Sequence, residues 1–393
     1  MQGAARVGRD GEIIMRPLAL EYQMSLEKLF TPVTINTLEI PNRIAMAPMT
    51  RLFSPGGVST PEMAQYYRRR AEGGVGLIIT EGTGIDRPVP TYDVNVPDFF
   101  GEEALAAWKH VVDEVHAAGG LIAPQIWHAG AARHPFTNEQ LPGLIDTPSG
   151  LFMPDDPTDP TEPPMTEKAI EETIAAFGQA AADSKRLGFD ALELHGAHGY
   201  LIDQFFWKET NLRADAYGGQ TIEGRVRFGV EVIRAVRAAV GPDYPVILRI
   251  SQWKGQNYGA RNANSAEELE RWLQPLSEAG VDSFHCSQRR FWEPEFEGSD
   301  LNLAGWARKI TGKPSITVGS VGLSGEYLSS LNEGESSSPA SLDGLIERLE
   351  RDEFDMVAVG RALLHDPQWV AKIRDGREDE LMPYDPASAQ TLY

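Results

Sequence analysis

Two imidazoles and a phenol fall within one short run, His195-Gly196-Ala197-His198-Gly199-Tyr200-Leu201. Imidazoles three residues apart can face the same way on a helical turn, and the spacing of His195 and His198 predicts such a turn. Both rings could then donate hydrogen bonds to a single oxygen. Tyr200 adds a phenolic O–H, a proton donor whose reference pKa is about 10. Two donors and one acid so grouped would polarise a carbonyl and protonate a carbon beside it.

These residues follow Phe189-Asp190-Ala191-Leu192-Glu193-Leu194, which reads as a buried strand. Similar apolar runs occur at 43–49, 75–81, 121–127, 245–250, 281–286, 314–318 and 354–359. Helix signals separate them. Thr60-Pro61 opens a helix to Glu72, with Thr as N-cap and Pro in the first turn. Further helices are expected over 102–118, 166–187, 223–240, from Ser265-Ala266-Glu267-Glu268 onward, over 303–310 and 341–351, and after Gly360-Arg361. Eight strands alternating with helices predict parallel pairing with helical crossovers, and their number favours closure into a TIM (β/α)8 barrel. An open doubly wound sheet is the alternative. Residues 134–165, rich in Pro, Asp and Thr, read as a long capping excursion after the third strand. A polar stretch within 324–353 reads as an insertion between the seventh and eighth.

In a barrel the strand exits converge on one mouth. Thr50, Gly82, Gln125 with Trp127, His195 with His198 and Tyr200, Arg249, Gly319 and Gly360-Arg361 collect there. Taken singly, each has a plainer explanation. Thr50 could cap a turn, Gln125 and Arg249 could pair with each other, and the glycines could relieve turn strain. Together they suit one ligand. Glycines after strands seven and eight beside an arginine match the usual phosphate position of this architecture. Gln125 offers both faces of an amide to a pyrimidine-like ring, and Arg249 offers a permanent charge to an anionic reduced cofactor. Those demands are the demands of flavin mononucleotide (FMN).

The chain has 393 residues and carries 57 acidic against 36 basic side chains, a formal charge of -21. That balance argues against a nucleic-acid partner and against anionic membrane surfaces. Cys286 is the only cysteine, so neither an intrachain disulfide nor a four-thiolate cluster can form. No apolar run approaches the ~20 residues of a membrane span. Residues 1–23 read as a disordered leader and 24–393 as a single barrel domain, with the cytoplasm as the expected location.

The sequence resembles the old yellow enzyme family of flavoprotein ene-reductases across nearly all of 26–393. The resemblance runs through Leu29-Phe30-Thr31-Pro32, Pro41-Asn42-Arg43-Ile44, Ala47-Pro48-Met49-Thr50-Arg51, Gln125-Ile126-Trp127-His128-Ala129-Gly130 and the His195–Tyr200 run. It continues through Gln204-Phe205-Phe206, Asn211, Arg213, Asp215, Tyr217-Gly218-Gly219, Arg225 and Gly360-Arg361-Ala362-Leu363. The resemblance implies a barrel holding FMN non-covalently, reduced by NADPH or NADH, that passes hydride to the β-carbon of an activated alkene. It further implies that Pro48, Met49, Thr50, Gly82 and His195 lie against the flavin, with Thr50 tuning its potential. By the same resemblance Gln125 and Arg249 hold the pyrimidine end, and Gly319, Gly360 and Arg361 hold the phosphate. His195 and His198 would bind the substrate oxygen, Tyr200 would protonate the α-carbon, and Trp127 would line the pocket. No metal is implied. The threonine at position 50 resembles one branch of a family in which others carry cysteine.

The segment Gln252-Trp253-Lys254-Gly255-Gln256-Asn257-Tyr258 departs from the family's familiar pattern, and Trp253, Tyr258, Phe291 and Trp292 are candidates to crowd the pocket or to pack elsewhere. Tyr384 and Tyr393 compete as a C-terminal tyrosine reaching the site. Arg289 and Arg290 could meet a 2′-phosphate or lie solvated. Related flavin enzymes with an iron–sulfur cluster need more cysteines than this chain has. A metal-dependent barrel hydrolase using His195 and His198, and a flavin-binding protein without catalysis, are the remaining alternatives. Either a monomer or a homo-oligomer is compatible with the sequence.

Overall fold

The computed structural model describes residues 26–132, 141–152, 163–325 and 334–393, together with a short antiparallel pairing of Arg6–Val7 with Ile13–Ile14. The expected leader thus falls mostly outside the described residues, as do parts of the excursion and of the insertion. Eight strands form a closed barrel: β1 (Ile44–Met46), β2 (Leu77–Gly84), β3 (Ile122–Trp127), β4 (Leu192–His198), β5 (Val246–Lys254), β6 (Ser283–Ser287), β7 (Ser315–Val318) and β8 (Met356–Val359). Every neighbouring pair is parallel, and β8 returns to β1.

The expected helices form outside the barrel, and their starts follow from side-chain caps. Thr60, Thr166, Thr221, Ser265 and Asn302 each accept a backbone N–H three residues on, opening α1 (Pro61–Glu72), α2 having no such cap (Glu102–Ala117), α3 (Glu167–Leu187), α5 (Ile222–Val240), α6 (Ala266–Ala279) and α7 (Leu303–Thr311). A short helix α4 (Leu201–Phe206) follows β4 directly and was not expected. The later helices are α8 (Asp343–Glu350), α9 (Arg361–His365) and α10 (Trp369–Arg374). Among the described residues no helix is long and apolar enough to cross a membrane.

Strand alternation separates two environments. Leu192, Leu194, Val246, Leu248, Ile250, Phe284 and Cys286 face outward into the large core beneath the helices. Ala45, Leu77, Ala123, Ala191, Ile247 and Ile316 line the lower interior with Ile35 and Ile40. The last two belong to an unanticipated hairpin, Val33–Ile35 with Leu38–Ile40, which closes the lower end and keeps that apolar layer from water. Two residues further along the inward-facing positions the character changes: Ala123 gives way to Gln125, Ala191 to Glu193, Ile247 to Arg249, and on β6 His285 takes the same place. The chemistry is therefore confined to the upper end.

The described part of the excursion contains neither helix nor strand and is pinned by Asp146. That buried carboxylate accepts from Arg87 at 2.7 Å and lies 3.1 Å from His128 Nε2, just beyond β3. The histidine and the guanidinium hold it at about 2, below its usual range and against the effect of burial. Ile145 packs there with Val89 and Ala131.

Candidate active site

The predicted helical turn through His195 and His198 does not form. β4 runs on through His198, and α4 starts only after Tyr200. In a regular strand residues three apart face opposite sides, so the two rings would diverge. A register shift against β5 between Gly196 and His198 reverses that outcome. His198 takes a left-handed φ of 65° and Gly199 one of 81°. Such a backbone is costly for a side-chain-bearing residue, and β5 stabilises it. The His198 N–H donates to Ser251 Oγ at 2.9 Å, and its carbonyl accepts the Gly255 N–H at 3.0 Å. The rings of His195 and His198 then stand 5.0 Å apart at 85°.

Hydrogen bonding sets their protons. His195 Nδ1 accepts the Ala197 N–H at 3.4 Å, which leaves the ring proton on Nε2. His198 Nε2 lies 2.8 Å from Ser287 Oγ. When that hydroxyl donates, the His198 proton sits on Nδ1. Burial first, and the Arg249 charge second, push both imidazoles well below their usual pKa, so both are neutral donors at neutral pH. The ring of Tyr200 is 4.8 Å from that of His195 and 4.8 Å from that of Trp127. Trp127 lies nearly parallel to His195 at 6.2 Å, and Tyr92 backs Trp127 at 5.3 Å.

Trp253, from the segment that departs from the family pattern, stacks on His198 at 4.4 Å and donates from Nε1 to the Ser287 carbonyl. Tyr258 packs on Trp253 at 4.8 Å, and Arg289 lies over Tyr258 at 4.6 Å. These residues wall the site on one side. Phe291 is buried in the outer core with Trp292 on it, away from this stack, and Arg290 pairs with Glu293.

Below the histidines runs a polar layer that sequence reading only half identified. Gln125 Nε2 donates to Glu193 Oε1 at 2.8 Å, and Glu193 Oε2 lies 2.6 Å from His285 Nδ1. Glu193 is thus a partner of Gln125 that the sequence does not name. Arg249 sits in register between His195 on β4 and His285 on β6. Glu193 and His285 were missed, although a glutamate inside an otherwise apolar strand was a usable signal. Gly82 lies within β2 rather than at its exit, because the strand extends to Gly84. A Cβ there would come 2.8 Å from the Trp127 ring and 3.3 Å from Gln125 Oε1, so only glycine lets the two share the mouth.

Beyond β1, buried Pro48, half-buried Met49 and exposed Thr50 lead into a loop held by Glu81. Glu81 Oε2 accepts the Arg51 N–H at 2.9 Å, and burial pushes this carboxyl up to about 7. Pairing of β8 with β1 brings Gly360 to Met49, whose sulfur would stand 3.6 Å from a Cβ at that glycine. Gly319 lies against the Gln288 carbonyl with no room for a side chain. Arg361 donates to Gly325 O at 2.6 Å and to Ser337 Oγ at 3.2 Å, so the insertion braces this guanidinium. Tyr384 is buried on Arg361, whereas Tyr393 is exposed and rests on Arg69 of α1.

The site suits FMN on its own chemistry. Trp127 Nε1 and His285 Nε2 are buried with no hydrogen-bond partner in the protein. Such atoms cost about 1–3 kcal/mol each when left unmatched, and these two, unlike Trp272 Nε1 and Trp306 Nε1 on the outer helices, belong to residues of the mouth, where a polar ligand group could meet them. The amide of Gln125 and the cation of Arg249 lie in the same layer, with the glycines and Arg361 across β7 and β8. Among the described residues no group of three or more His, Cys, Asp or Glu side chains is arranged to hold a metal ion.

Comparison with known proteins bears on this geometry. The family described as NADH:flavin oxidoreductase / NADH oxidase matches residues 28–335. An NADH oxidase of Thermoanaerobacter brockii is 36% identical over 90% of this chain and 52% of its own length. A chanoclavine-I aldehyde reductase of Penicillium roqueforti is 33% identical over 94% of this chain and 93% of that protein. The chain spans about half the length of the first curated relatives it matches. Among solved structures, morphinone reductase in complex with tetrahydroNAD superposes with a TM-score of 0.75 at 29% identity, covering 92% of this chain and 93% of that one.

Proposed function

The chain belongs to the NADH:flavin oxidoreductase / NADH oxidase family, and on that premise we propose that it is an FMN-dependent ene-reductase. Its substrates are small activated alkenes, α,β-unsaturated carbonyl or nitro compounds, and its reductant is NADPH or NADH. It works in the cytoplasm. The observation that carries this reading is the pair of neutral imidazoles 5.0 Å apart with a phenol beside them.

When bound, FMN supplies the hydride taken from the nicotinamide. Pro48, Met49, Thr50, Gly82 and His195 would lie against its ring, with Thr50 tuning its potential. Gln125 and Arg249 would hold the pyrimidine end, and Gly319, Gly360 and Arg361 the phosphate. The remaining chemistry belongs to the side chains at the mouth. An alkene that gains hydride at its β-carbon accumulates negative charge on its carbonyl or nitro oxygen. His195 Nε2–H and the proton-bearing nitrogen of His198 receive that charge as preset donors, in the manner of an oxyanion hole. Neutral rings do so without a standing positive charge. The Tyr200 O–H delivers the proton to the α-carbon, and Trp127 and Trp253 orient the planar substrate.

The test is turnover of 2-cyclohexenone and a nitroalkene by the FMN-loaded protein with NADPH and with NADH. Reduction of the C=C bond, lost in His195→Ala, is expected. Oxidation of the nicotinamide with no saturated product would exclude the reading.

A further inference from the structure

Directly behind the donor-bearing turn lies a buried ion pair that the proposed mechanism does not use. Lys254, the last residue of β5, and Asp203, in α4, are both fully excluded from solvent. Lys254 Nζ stands 2.6 Å and 2.7 Å from the two carboxylate oxygens. Burial pushes the Asp203 carboxyl up and the Lys254 ammonium down, and each partner opposes the effect on the other.

A pair so placed contributes little net stability, because the loss of hydration offsets the attraction. Replacing such a pair with apolar groups is often neutral or favourable. What it holds is therefore more telling than how strongly it is held. Asp203 Oδ2 accepts the Gly199 N–H at 2.8 Å, and Oδ1 accepts from Asn262 Nδ2 at 2.8 Å. Gly199 is the residue between His198 and Tyr200. On the other partner, Lys254 is paired in register with His198, and the next residue, Gly255, donates its N–H to the His198 carbonyl. The pair thus joins the two backbones that together force His198 into its left-handed conformation. Lys254 also neutralises the carboxylate, which would otherwise oppose negative charge developing on an oxygen at the histidines.

We propose that Asp203 and Lys254 form a positioning pair that clamps the His198–Gly199–Tyr200 turn and so aligns the second oxygen donor and the proton donor. The inference rests on the oxygen-binding reading of His195 and His198.

The test uses the FMN-loaded protein, titrated with 4-hydroxybenzaldehyde and followed by its charge-transfer absorbance, together with amide exchange at Gly199. In the double variant Asp203→Leu/Lys254→Met we expect an unchanged melting temperature. We also expect phenol affinity to fall about tenfold, as for loss of one charge-assisted hydrogen bond, and Gly199 exchange to quicken. Asp203→Asn/Lys254→Gln keeps an acceptor for Gly199 and should recover most of the affinity. Should Asp203→Leu/Lys254→Met fail to fold, the conservative pair decides against wild type: quicker Gly199 exchange with a small loss of phenol affinity, as a neutral acceptor replaces a charged one, supports the clamp, and wild-type values of both overturn it. A folded double variant with wild-type phenol affinity and wild-type Gly199 exchange also overturns it. Failure of the reading beneath looks different, because wild-type protein would then show no phenol band that depends on His195.

Discussion

Ser287 Oγ and His198 Nε2 lie 2.8 Å apart, joining the end of β6 to the irregular end of β4. When the serine hydroxyl donates to Nε2, Nδ1 carries the proton. The same serine's carbonyl accepts from Trp253, so one residue contacts both His198 and the ring stacked on it. Ser287→Ala should leave the protein folded and flavin-loaded. Alkene reduction should drop by about one order of magnitude, the worth of one hydrogen bond to a developing charge. Nitrogen-15 NMR of the histidines should then show a mixture of His198 tautomers in place of one.

Tyr200 stands beside His195, and in the proposed cycle its phenolic proton serves only the enolate-like α-carbon formed in the second half. Tyr200→Phe should slow alkene reduction by about 10²–10⁴, the usual contribution of a positioned general acid. Reduction of the flavin by NADPH should change little. Stopped-flow measurement of the two halves separates them, and equal slowing of both would remove Tyr200 from the donor's role.

The polar layer formed by Gln125, Glu193, Arg249 and His285 should decide whether flavin is retained. Purified protein should be yellow. Arg249→Met should weaken FMN binding by about tenfold or more, through loss of a charge-assisted contact. Fluorescence titration of the apoprotein with FMN measures this, and colourless wild-type protein that takes up no FMN would count against the whole account.

Glu81 makes stability depend on pH. Its folded pKa, pushed up to about 7 by burial, lies above the ordinary 4.5. Between those values the folded state keeps a proton that the unfolded chain has released, so stability falls as pH rises from 4.5 to 7 and is flat above. Glu295, also raised to about 7, and Asp98, raised to about 6, act in the same direction. Glu81→Gln should therefore show a smaller loss of melting temperature between pH 5 and pH 7.5 than wild type does. An identical loss in both proteins would assign the dependence to other groups.

Much of the architecture was legible along the chain because its causes are local. Thr60 and Ser265 cap helices that start where the sequence places them, and short apolar runs between helices became the eight strands. The types of the candidate residues were legible too, since imidazole, phenol, amide and guanidinium carry their chemistry in any fold. The run also suggested that His195 and His198 face one way, but for the wrong geometric reason. His195 and His198 converge across a strand irregularity, not along a helix.

What tertiary structure alone decided are the contacts between segments far apart in sequence. The left-handed turn at His198 exists because Ser251 in the next strand and Gly255 just after it hold its backbone. Glu193 meets His285, Arg361 meets Ser337, and Asp203 meets Lys254 only after the barrel has closed. By itself the sequence determined the alternation of strands and helices, the capped helix starts and the identity of the groups at the mouth, because side-chain shape, hydrophobic period and backbone propensity act over a few neighbouring residues. The direction of each donor, its protonated nitrogen and the partner of each buried charge were decided in three dimensions, because desolvation and hydrogen-bond geometry depend on atoms that the chain brings together from different strands.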